Sequence, residues 1–204
     1  MRLTLLAAVL PLLAGPALAQ DRLPPLAPDQ LTPEQHAASE AFLAARKVPV
    51  FGPFVPLLRS PELMTSARSM GDYLRYRSAL PQRISEFVIL VTAREWTQDL
   101  EWKIHQPIAL KVGVLPETVQ AIAEGRRPEH MSDEEAAAWS FSTELHHNRS
   151  VSDATYAEAL AKFGEKGVMD LAGINGYYTM LAMAVNVART PSGQGAAPLP
   201  RLPN

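Results

Sequence analysis

The sequence predicts an all-α, single-domain protein, and three observations carry that expectation. Apolar residues recur close to every 3.6 positions from Gln35 to Ala188, with no convincing run of strict alternation that would mark a strand. Helix-start signals repeat along the chain: Thr32-Pro33-Glu34-Gln35, Ser60-Pro61-Glu62 and Ser132-Asp133-Glu134-Glu135 each set a capping hydroxyl ahead of proline or an acidic first turn. Finally, about 185 residues remain after an N-terminal leader, enough for one domain with a substantial core.

The leader is Met1–Ala19. Arg2 precedes an apolar run from Leu3 to Ala14, followed by Gly15, Pro16 and the small-residue site Ala17-Leu18-Ala19. This pattern predicts a secretory signal peptide cleaved before Gln20, and a periplasmic or secreted product. With no cysteine to carry a lipid anchor, that product is expected to be free of the membrane.

Residues 20–31 hold Pro24, Pro25 and Pro28 and predict an extended lead-in. The spacing then predicts a helix from Pro33 to about Lys47, a packed loop over 48–56 (three prolines, Gly52, Phe51 and Phe54), and a helix opened by Ser60. Pro81 opens the next helix, to about Ala93. Another covers about 97–112 and is closed by Gly113, and a short one runs from Pro116 to Gly125. Helices over about 136–147, 151–164 and 167–188 follow; the last is apolar almost all round, which predicts a central position or a subunit interface. The domain therefore spans 32–188, and the proline- and glycine-bearing tail 189–204 is expected to be irregular.

The chemistry-bearing residues lie in Leu80–Gly113. Glu101 and His105 are four positions apart, so on a helix they share a face about one turn apart, roughly 6 Å along the axis. Glu86 stands in the run Ile84, Phe87, Val88, Ile89, Leu90, Val91, where an unpartnered carboxylate is costly and its pKa is raised. Two carboxylates and one imidazole in apolar surroundings suit acid–base catalysis. His146 and His147 are adjacent and point apart on a helix, so they are not expected to share a metal; Glu86, Glu101 and His105 together could bind a divalent ion.

Composition excludes several classes. Without a cysteine the chain has no disulfide, thiolate metal site or thiol nucleophile. Once Arg2 leaves with the leader, 18 basic residues face 21 acidic ones, a net charge of −3, and no basic patch interleaved with aromatics appears. Nucleic acid is therefore not an expected partner.

On Arg83-Ile84-Ser85-Glu86, Glu101-Trp102-Lys103-Ile104-His105, Ala109, Gly113, Pro116-Glu117 and Ala121-Ile122, the chain resembles the carboxymuconolactone decarboxylase family, with a core match over 54–127. That family shares its helical fold with alkylhydroperoxidase D-like proteins. In its peroxidase members a glutamate is followed by Cys-x-x-Cys-x-x-x-His; counted back from His105, the cysteine positions fall on Gln98 and Glu101, and the glutamate on Glu86. Both sulfurs are missing, so the thiol peroxidase cycle is not expected. The resemblance implies instead decarboxylation or a related proton transfer on a small carboxylated or lactone substrate. His105 would be the proton shuttle, tuned by Glu86 and Glu101, with Arg83, Arg94 and Trp102 as substrate-binding residues. It also implies a homotrimer or hexamer and calls for no metal ion, and no cofactor is expected. The rival reading is a non-catalytic helical binding or scaffold protein.

Overall fold

The computed structural model describes residues 20–193 and 198–202, so the signal-peptide reading of Met1–Ala19 lies outside the described residues. Within them the chain is all-helical: α1 Pro33–Arg46, α2 Phe54–Leu57, α3 Pro61–Tyr76, α4 Gln82–Glu95, α5 Asp99–Lys111, α6 Pro116–Ala123, α7 Asp133–Asn148 and α8 Asp153–Ala188. No described helix is long and apolar enough to cross a membrane.

The expected caps are made. Thr32 and Ser132 each complete a capping box, with Gln35 and Glu135 returning a bond to the cap residue's own N–H. The two expected helices over 151–188 form the single run α8, broken at Gly164, whose φ of 67° and ψ of 174° only glycine adopts without strain.

Helix α4 is the centre of the bundle: every residue from Ile84 to Arg94 is buried. It packs against α5, α7 and α8, while α1 and α3 form a flank that reaches α8. Phe87, Ile89, Leu171 and Ile174 join one hydrophobic cluster, where truncating any one of them costs on the order of 2–5 kcal/mol.

Helices α3 and α8 approach unusually closely at Gly71, where an added Cβ would lie 2.4 Å from the Tyr177 hydroxyl. Just beyond, Asp170 of α8 accepts from the Tyr73 hydroxyl (2.9 Å) and the Ala79 N–H (2.7 Å), tying the α3–α4 turn to α8. These two contacts fix the C-terminal end of α3 beside α4 and α8, and so place Arg75.

Three segments differ from expectation. Part of the 48–56 loop coils into α2, where the Phe54 ring packs at a tilt against Phe42 with 5.0 Å between ring centroids. The lead-in is packed rather than free: Arg22 N–H donates to Ala188 O, Arg59 donates to Pro24 O, and Pro28–Gln30 forms a 3-10 turn. The tail is irregular but held over 198–202, where Leu199 is buried, its N–H donates to Asp99 Oδ1, and Arg201 pairs with Asp99 Oδ2 at 2.7 Å. In both terminal segments side-chain acceptors and exposed helix-end carbonyls satisfy backbone that composition alone leaves open.

Candidate active site

Glu86 projects from the middle of α4, and His105 and Glu101 from adjacent turns of α5. The turn between the helices is built by Thr97, in the left-handed region at φ 44°, and by Gln98, whose side chain accepts from Leu100 N–H at 2.7 Å and caps α5. This turn folds the nineteen-residue separation between Glu86 and His105 into direct contact. His105 Nδ1 lies 2.6 Å from Glu86 Oε2, a short charge-assisted geometry in which the ring N–H donates to the carboxylate. Glu86 is 1 % exposed, Glu101 2 % and His105 3 %.

With Nδ1 committed to Glu86, the other ring nitrogen is the one available for chemistry. His105 Nε2 faces Glu101 Oε2 across 3.7 Å, too far for a direct hydrogen bond and close enough for one interposed atom to bond both. Glu101 Oε1 is buried with no hydrogen-bond partner. Burial raises the Glu101 pKa above its ordinary value, partly opposed by the positive fields of His105 and Arg75 and reinforced by Glu86. The site thus holds a carboxyl biased toward its protonated form beside an imidazole whose partner is a second carboxyl.

Two residues that the sequence reading did not single out for the site complete it. Arg75 Nε approaches Glu86 Oε1 at 3.8 Å, has no hydrogen-bond acceptor, and its guanidinium lies over the Tyr76 ring at 5.1 Å. Tyr178 sets its ring edge-to-face against His105 at 5.1 Å, and burial holds its phenol well above the usual tyrosine range, so it stays a neutral O–H. The only sequence signals were Tyr178's place on the apolar last helix and Arg75's place on an amphipathic helix that also carries Arg68.

Arg75, Glu101, His105 and Tyr178 line a partly open cavity of about 20 Å³ together with Phe51 and Phe54; it is room for a single water. A larger groove of about 290 Å³ lies between the lead-in and α1, lined largely by carbon (Leu26, Leu31, Leu43, Val50, Leu58), and contains none of these groups. The small cavity is the one at the ionisable cluster. Among the described residues no three His, Asp or Glu side chains are arranged to hold a metal ion.

The proposed substrate-binding residues lie elsewhere. Arg83 clamps the start of α7, with Nη1 2.6 Å from Glu135 Oε1 and Nη2 3.0 Å from Glu134 Oε2. Arg94 donates to Ala123 O, Pro200 O and the Thr97 hydroxyl, which fastens the α4–α5 turn and the tail rather than reaching a ligand. Trp102 is buried in the hydrophobic cluster and does not line the cavity. The physical reason is distance along α4 and competition from other partners: Arg83 and Arg94 stand one turn before and about two turns beyond Glu86, where acceptors on α7 and at the end of α6 hold their guanidinium groups.

The raised Glu101 pKa has a consequence for stability. The folded state prefers the protonated carboxyl, so the stabilisation is present below the ordinary value of 4.5 and is lost as pH rises through the higher folded value. Replacing Glu101 with methionine removes the lone buried oxygen at similar volume and is expected to stabilise the protein by about 1–3 kcal/mol at pH 8, with a smaller gain at pH 5. Thermal melts at the two pH values check this; a loss of stability at pH 8 would mean that Glu101 is well satisfied as a carboxylate.

Comparison with known proteins finds no matching family model and no matching curated protein. Solved structures do match. An uncharacterized peroxidase-related protein from Silicibacter sp. TM1040 superposes with a TM-score of 0.69 at 13 % identity, covering 86 % of this chain and 94 % of that one. A second, from Ralstonia eutropha JMP134, described as an alkylhydroperoxidase AhpD core and an uncharacterized peroxidase-related protein, gives 0.60 at 13 % identity over 84 % and 91 %. The chain therefore has the AhpD-like helical fold, as the resemblance implied.

Proposed function

We propose that this AhpD-like protein is an acid–base enzyme of the carboxymuconolactone decarboxylase-like type, acting as a lyase on a small carboxylated or lactone compound. The observation that carries the reading is the buried Glu86–His105 contact at 2.6 Å, with His105 and Glu101 lining one cavity and an oxygen of Glu101 left without a hydrogen-bond partner. Nucleophile, metal and thiol are not needed for that chemistry. A positioned base, a neutral acid and a cation are.

In a decarboxylation the substrate's carboxylate carbon–carbon bond breaks, its electron pair moves into an adjacent carbonyl or lactone, and CO₂ leaves. Arg75 holds the negative charge that develops on the carbonyl oxygen, and its unpartnered Nε is the group free to do so. A proton from protonated His105 Nε2 or from Glu101 then reaches carbon, and Glu86 stabilises and orients the imidazolium through Nδ1. As it stands the cavity has room for a single water, so a substrate is seated there only when the Phe51 and Phe54 side chains that line it give way. The same groups serve an isomerisation, in which the proton is removed and returned at different carbons.

Thiol peroxidase chemistry is not proposed, because this chain supplies no thiol. Export to the periplasm or medium is proposed from Met1–Ala19. The reading is tested by a thermal-shift screen of small carboxylates and lactones. A ligand at a hundred times its Kd is expected to stabilise the protein by about 2.7 kcal/mol, with the shift reduced in Arg75→Met. A ligand that stabilises both proteins equally binds away from this site and counts against the assignment.

A further inference from the structure

The groove of about 290 Å³ beneath the lead-in takes no part in the chemistry, and three stretches of chain build its walls. Leu26 and Leu31 come from the lead-in, Ser39 and Leu43 from α1, and Val50 and Val55 from the segment that runs into α2. The lead-in is a strap fixed on both sides of Leu26: Arg59 Nη2 donates to Pro24 O at 2.6 Å, and His36 Nε2 meets Pro28 O at 3.1 Å. Pro24, Pro25 and Pro28 keep the strap extended, so it bridges α1 rather than coiling onto it.

The lining says what the groove would hold. Ser39 Oγ is buried without a hydrogen-bond partner, a costly state that one oxygen of a ligand relieves once the side chain turns to meet it. Leu43, 48 % exposed, offers apolar surface that a hydrocarbon chain would cover. No arginine or lysine is among the described residues that line the groove, and Glu40 is, so a carboxylate head is disfavoured and an uncharged one fits. The volume is about twice the roughly 150 Å³ that takes up benzene, which leaves room for about a dozen non-hydrogen atoms.

We propose that this groove is a binding site for an uncharged, mainly hydrocarbon molecule of that size with one oxygen, an aliphatic alcohol or ketone. Its chain lies along Leu26, Leu43 and Val55, and its oxygen bonds Ser39 Oγ. The site also touches the gate of the catalytic cavity. Pro49, Val50, Val55 and Leu58 face the groove, while Phe51, Pro53 and Phe54 of the same segment line the cavity. A molecule in the groove therefore braces the segment whose phenylalanines must give way to a substrate; that consequence rests on the proposed reaction, whereas the site itself does not.

1-Octanol and octanoate share a chain and differ in charge, which makes them the probes. 1-Octanol is expected to bind saturably with a Kd on the order of 0.1 mM, and at ten times that concentration to raise the melting temperature by about 3–6 °C. Octanoate is expected to bind about tenfold more weakly or not at all. Ser39→Ala is expected to weaken 1-octanol by about 2–10-fold, and Ser39→Phe to fill the groove and abolish binding. Leu43→Glu, at a position already half in water, keeps the fold and is expected to weaken binding by about tenfold. Hydrogen exchange over 22–31 and 49–58 is expected to slow when 1-octanol is added, and Arg75→Met to leave the thermal shift intact. No saturable binding, binding unchanged by both Ser39→Phe and Leu43→Glu, octanoate equal to 1-octanol, or slowed exchange confined to other segments would each overturn the proposal. A shift lost in Arg75→Met and kept in Ser39→Phe would move the alcohol to the catalytic cavity, overturning this site while leaving the proposed reaction standing. Exchange over 22–31 and 49–58 that slows with protein concentration alone would give the groove to a second copy of the chain and overturn it likewise.

Discussion

His105→Gln is expected to lower kcat/KM on the cognate substrate by about 10²–10⁴-fold while the protein still folds. A positioned acid–base group contributes that factor, which corresponds to roughly 3–5 kcal/mol of barrier. Glutamine keeps much of the side-chain volume between Glu86 and Glu101, and its amide nitrogen can still donate toward Glu86 Oε2, which His105 Nδ1 approaches at 2.6 Å. What it cannot do is take up and release a proton at the position of Nε2. The measurement is a pair, melting temperature and kcat/KM. A melting temperature within a few degrees of the parent with turnover lost fits the enzyme reading, whereas a large loss of stability with turnover intact would make His105 a structural residue and favour a scaffold that has kept the fold without the chemistry.

Glu86→Ala is expected to have the largest effect on stability. The side chain is 1 % exposed, and its loss strips the acceptor from His105 Nδ1 and the nearest anion from Arg75, and leaves a cavity inside α4. Breaking a buried charged pair by removing one partner typically costs about 3–5 kcal/mol. For a domain of this size each kcal/mol lowers the melting temperature by about 2–4 °C, so a fall of roughly 6–20 °C is expected. Glu86→Gln separates the two roles: its carbonyl still accepts from His105, so much of the stability is expected to return, while an imidazolium formed in turnover loses its counter-charge and kcat falls. Equal melting temperatures for Glu86→Ala and the parent would show that His105 and Arg75 find other partners.

Much of this was legible before any coordinates. The helices follow from local rules: Thr32 and Ser132 cap because their hydroxyls lie within reach of an N–H three residues on, and the apolar spacing fixes which face of each helix is buried. Glu101 and His105 are readable as a pair because helical geometry is set by sequence separation alone. Glu86 stood out because a carboxylate within Ile84–Val91 has no inexpensive explanation. The arginine at the site was not readable. Arg83 and Arg94 are nearer in sequence to Glu86 and His105 than Arg75 is, and nearness in sequence is a poor guide once helices pack across one another.

The sequence by itself determined that this protein is helical, that its thiol chemistry is nil, and that two carboxylates and an imidazole share one segment, because spacing, capping and composition act over a few residues. Only the tertiary structure decided that Glu86 meets His105 through Nδ1, that Glu101 keeps an unpaired oxygen, and that Arg75 and Tyr178 join them. Those depend on how far α4 turns before α5 begins at Thr97, and on how closely α3 approaches α8 at Gly71, distances set by the packing of whole helices and by no local signal.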